Sequence, residues 1–105
     1  MEKFSDVLLT LDEADHVRRI ELYDVNNKPA GVIDNKPGSK GSIKVYHHLY
    51  KMYGAISVDA AVEGLSLYAE HTEDAENSPG KHPNIDRLID VLDNESPLSI
   101  KIISD

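Results

Sequence analysis

The segment VRRIELYDVNNKPAGVID, residues 17–34, constrains the fold more than any other part of the chain. From Val17 to Asp24 the side chains alternate, so that Ile20 and Leu22 share one face of a strand while Arg19, Glu21 and Tyr23 share the other. Ala30 to Asp34 reads as a second strand. The connection between them, VNNKP, is made of turn residues and is too short for a crossover. An antiparallel hairpin with one buried face is therefore predicted, and the rest of the chain has to cover that face.

Helical periodicity supplies the cover. Phe4, Val7, Leu8 and Leu11 predict a helix over 4–11, with Ser5 or Asp6 as its cap. NKPGSKGS, residues 35–42, is predicted to be a loop leading, with Ser42 as cap, into a helix over 43–53. There Ile43, Val45, Tyr46, Leu49, Tyr50, Met52 and Tyr53 take about half the circumference. Lys44, His47, His48 and Lys51 take the remainder, and Gly54 stops the helix. Ser57 caps a second helix with a stripe of Val58, Ala61, Val62, Leu65, Tyr68 and Ala69, ending at His71 or continuing to Ala75. After the breakers of 77–80, Asn84 is predicted to cap a third, with Ile85, Leu88, Ile89 and Leu92 inward. A last strand over 98–103 turns Leu98, Ile100 and Ile102 towards the helices. The expected fold is two-layer α+β, one domain over 1–105, with three mainly antiparallel strands covered on one face by three or four helices.

Composition narrows the function. The 40% of hydrophobic residues suffices for one core, which one Phe, no Trp and five Tyr make largely aliphatic. No Cys means no disulfide, no thiolate nucleophile and no cysteine zinc site. The first residues lack a basic region followed by a continuous apolar run, and no segment approaches a membrane span, so a cytoplasmic protein is expected. The net charge of −8 is confined to residues 57–95, where ten acids face only Lys81 and Arg87. Direct nucleic-acid binding is not expected of such a chain, whereas a local anion site near its lysines is compatible with it.

The run GKHPNIDRL, residues 80–88, preceded by AEHTEDA, residues 69–75, and by the NKPG loop, resembles a small bacterial family of conserved proteins without assigned function. The resemblance spans nearly the whole chain. It implies a bacterial cytoplasmic origin and carries no activity, substrate or catalytic residue.

Three groups of residues are candidates for function. His71, Glu73, Asp74 and His82 would suit zinc, manganese or iron if the loop folds back between its helices, although their spacing matches no metal signature. His82 with Glu73 or Asp74 would also suit acid–base work if they touch. Plain helix capping and dipole effects account for the same residues. Ser39, Lys40, Ser42 and Lys44 precede or open a helix, where free N–H groups favour anions, but PGSKGS matches neither GxxxxGK[ST] nor GxGxxG. Asp59, Glu63, Glu70, Asp86, Asp90 and Asp93 form acidic helix faces, suited to a basic partner or simply to solubility. The expectation is a non-enzymatic interaction module, without cofactor, that docks a basic protein through this acidic face and is able to self-associate through the sheet's open face or edge. The alternative is a metal- or phosphate-ligand-dependent enzyme or binding protein centred on the His71 to His82 loop.

Overall fold

In a computed structural model, which describes residues 2–104, the hairpin forms as predicted and becomes half of a larger sheet. The elements in order are α1 (Phe4–Thr10), β1 (Val17–Tyr23), β2 (Pro29–Asp34), α2 (Lys40–Tyr53), β3 (Ala55–Ile56), α3 (Val58–Leu67), α4 (Glu70–Asn77), α5 (Pro83–Asn94) and β4 (Leu98–Ser104). The sheet is antiparallel throughout, in the order β2-β1-β4-β3. The α+β class agrees with the sequence pattern; the count is four strands and five helices among the described residues.

Pairing register explains how one face becomes core. Ile20 lies opposite Ile33 on one side and Ile102 on the other, and Leu22 lies opposite Gly31 and Ile100. Ile20 and Leu22 are fully buried, as are Ile43, Val45, Tyr46 and Leu49 of α2 above them. At roughly 1.5–3 kcal/mol for each large aliphatic side chain removed from water, this layer is the main attractive term. The opposite sheet face carries a polar ladder, with Arg19 Nε and the Tyr23 hydroxyl both donating to Glu21, at 2.8 Å and 2.6 Å.

Several boundaries differ from expectation, the first at α1, whose N-cap is Lys3 rather than Ser5 or Asp6. The two-residue strand β3 is too short to show a period, and it forms because left-handed Gly54 (φ 78°) turns the chain so that Ile56 pairs with Leu98. Helix α2 starts at Lys40 with Ser39 as N-cap, three residues before the predicted start, so Ser42 sits inside it. The helix predicted to run from Ser57 to His71 or Ala75 breaks at Tyr68 and Ala69; Ala69 takes a positive φ of 53° and α4 begins anew. Helix α5 is capped by His82 rather than Asn84, with Pro83 in its first turn, where a missing N–H costs nothing.

Gly31 matters through the space it leaves. A Cβ there would lie 2.5 Å from Arg87 Nη2 and 2.7 Å from Nε. Arg87 Nη1 in turn donates to the Tyr46 hydroxyl at 3.1 Å and to Asn84 Oδ1 at 3.0 Å. Gly31→Ala is therefore expected to lower stability by about 1–2 kcal/mol, despite removing a flexible glycine, by displacing the guanidinium from these acceptors. Urea unfolding checks this, and in an Arg87→Ala background the part of the penalty due to the displaced guanidinium should vanish.

Candidate functional site

Two chain breaks that the sequence places far apart meet on one side of the helical layer. The Ser39 cap starts α2, and the SPGKH loop, residues 78–82, starts α5; between them lies a cleft of about 490 Å³. Its walls include Phe4 and Leu8 from α1, Lys40, Gly41 and Ser42 from α2, Tyr68 and His71 at the α3–α4 break, and Lys81, His82 and Asn84 from the α5 entrance.

The break at Tyr68 is what aims α4 into this cleft. Tyr68 is 3% exposed, its ring stacks on Phe4 at 5.2 Å, and its hydroxyl donates to Ser42 Oγ at 2.7 Å. Phe4 N–H in turn donates to Glu70 Oε1 at 2.7 Å, which holds that carboxyl below the usual glutamate range. The His71 ring then meets Phe4 edge-on at 5.3 Å and lies 5.6 Å from the ring of His82. The two histidines flanking the loop thus converge.

Asp74, one helical turn after His71, accepts from His82 Nε2 at 2.6 Å and from Lys81 Nζ at 3.0 Å. These two donors, His82 foremost, keep its carboxyl below the usual aspartate range. Burial pushes two phenols up, that of Tyr46, behind the cleft, to about 12 and that of Tyr68 further. Tyr46 donates to the Asn84 carbonyl at 2.6 Å, which ties α2 to the first turn of α5.

The candidate residues divide as follows. Lys40, Ser42, His71 and His82 line the cleft, and Asp74 stands behind His82. Glu73 is exposed and outside it. Ser39 donates to the carbonyls of Asp34 and Lys36 and so closes its own loop. Lys44 reaches the Leu8 carbonyl at 2.6 Å and pins α1. Among the described residues no group of three or more His, Asp or Glu side chains is arranged to hold a metal ion. On the acidic faces, Glu63 binds His48 Nε2 at 2.8 Å, Glu70 is taken by Phe4, and Asp86 accepts from Gly80 N–H at 2.9 Å. Asp59, Asp90 and Asp93 are exposed.

Lys81, Tyr68, Asn84 and Phe4 escaped the sequence reading. Lys81 carried a usable signal, because an isolated cation in so acidic a segment suggests a local task. Tyr68 and Phe4 carried none, since both fit core stripes.

No helix among the described residues is long and apolar enough to cross a membrane. A family model described as "Uncharacterized protein conserved in bacteria (DUF2322)" matches residues 4–102. No curated protein and no solved structure gives a significant match.

Proposed function

The chain belongs to this family of uncharacterized bacterial proteins, and from the chemistry of its cleft we propose that it binds a small organic anion. One observation carries the reading. In a chain with 19 acidic and 11 basic residues, the cleft walls hold, among the described residues, two Lys and two His and not one carboxylate. The first turns of α2 and α5 add N–H groups and the positive ends of two helix dipoles. Phe4, Leu8, Tyr68 and Ile85 line the same cleft and add apolar surface, so the ligand pairs a charged group with an apolar or aromatic body. The volume falls in the range of about 300–1,000 Å³ typical of small-molecule sites.

Calorimetric titration with phenyl phosphate and benzoate at low salt tests this reading. Each of Lys40→Ala and Lys81→Ala is expected to weaken binding about tenfold, the loss of one charge-assisted contact. Lys101→Ala, on the far face of the sheet, should leave it unchanged. Absence of binding by either anion, or equal binding by all variants, would remove the proposal.

Docking of a basic protein through Asp59, Glu63, Glu70, Asp86, Asp90 and Asp93 has less support. Glu63, Glu70 and Asp86 already satisfy donors within the molecule, so only half of that set is free for a partner.

A further inference from the structure

The two histidines of the cleft are differently held, and that difference specifies the ligand further. His82 spends Nε2 on Asp74, while its Nδ1 has no hydrogen-bond partner among the described residues. In the neutral ring with a proton on Nε2, Nδ1 is a lone pair and repels an anion; on protonation it becomes an N–H donor, with Asp74 still accepting from Nε2. His71 makes no ring hydrogen bond among the described residues and lies tilted against His82 at 5.6 Å between ring centres. Two positive imidazoles so close oppose each other until an anion enters between them. Protons and an anionic ligand therefore favour each other's binding.

Resting on the reading of the cleft as an anion site, we propose that its ligand is a phosphate monoester, taken up as the dianion together with a proton on His82, with His71 as a second proton-binding group. The charged surroundings fit this choice. Lys40 faces the cleft from α2 and Lys81 from the α5 entrance, while α1 contributes only the uncharged Phe4 and Leu8. On α4, Asp74 stays with His82 and Lys81, and Glu70 stays with the Phe4 N–H. Asp86 of α5 accepts from Gly80 and is not part of the wall. Donors thus approach from α2, from α4 and from the start of α5, which suits the three terminal oxygens of a phosphate better than the two of a carboxylate.

Affinity for phenyl phosphate and for benzoate, measured between about pH 6.5 and 8, tests the inference, since phenyl phosphate is then mainly a dianion and histidine changes charge in this range. Phenyl phosphate is expected to bind at least about tenfold more tightly than benzoate, and to tighten as the pH falls by up to about tenfold per unit for each proton taken up. His82→Gln should flatten that dependence. Near-ultraviolet circular dichroism establishes that each variant is folded, and His71→Gln supplies a second probe if one is not. If both anions bind with a pH-independent affinity, or if the slope survives in both histidine variants, proton-linked phosphate recognition is wrong while the anion cleft stands. If neither anion binds at any pH, the cleft reading falls and this inference with it.

Discussion

Raising the pH from about 10 to 12 should cost the folded state on the order of 5 kcal/mol, shared between Tyr46 and Tyr68. Both phenols are buried, and burial pushes their ionisation upward, that of Tyr46 from 10.0 to about 12 and that of Tyr68 beyond it. Below the ordinary tyrosine range each is neutral in both folded and unfolded chains, and the pH has no leverage. Above it the unfolded chain releases a proton that the folded chain retains. Each such tyrosine then removes about 1.4 kcal/mol per pH unit, until the folded group itself ionises. Urea midpoints at successive pH values should therefore fall steeply across this window, and phenolate absorbance should show two of the five tyrosines titrating only as the chain unfolds. Tyr46→Phe and Tyr68→Phe should each flatten the fall by about half, although the first also loses the hydrogen bonds to the Asn84 carbonyl and from Arg87, and the second the one to Ser42. A tyrosine that ionises with the exposed ones in the native protein would contradict the packing described for it.

Gly64→Ala is expected to destabilise the protein by about 1–3 kcal/mol, the opposite of its effect on an isolated helix. Within α3 an alanine would be favoured over glycine by about 1 kcal/mol on propensity alone. In the fold, however, its Cβ would lie 2.7 Å from Leu88 Cδ1 and 3.0 Å from Leu49 Cδ1. Both leucines are fully buried, so neither can swing away into solvent. The glycine thus sets how closely α3 approaches α5 and α2. Trimming Leu88 to Val should recover part of the loss, giving a non-zero coupling in a double-mutant cycle. A stabilised Gly64→Ala protein would mean that the helices are not so closely packed.

The parts that were legible are those written in local period. Ile20 and Leu22 alternating with Arg19, Glu21 and Tyr23 announce a half-buried strand whatever it pairs with. Likewise Ile85, Leu88 and Leu92 announce a helix with one buried stripe. The break at Tyr68 and Ala69 was not legible, because neither residue is a helix breaker. It exists because tertiary contacts to Phe4 and Ser42 hold Tyr68 in place and force Ala69 to a positive φ. Helix α2 began early for a related reason: Ser39 turns its hydroxyl to Asp34 and Lys36, closing the loop and freeing Ser42 to accept from Tyr68.

The cleft shows the same division. His71, His82, Lys40 and Ser42 could be singled out by residue type and by their nearness to helix ends, but nothing local shows that they touch. Joining them required contacts between Ser42 and Tyr68 and between Phe4 and Glu70, pairs 26 and 66 positions apart. By itself the sequence determined the antiparallel hairpin, the amphipathic faces and the lopsided charge, because each follows from neighbours within a few residues. Only the tertiary structure decided that the acids of α3, α4 and α5 stay off the cleft walls while two histidines and two lysines line them. Which side chains share a cavity depends on how whole elements pack, and no local pattern encodes that.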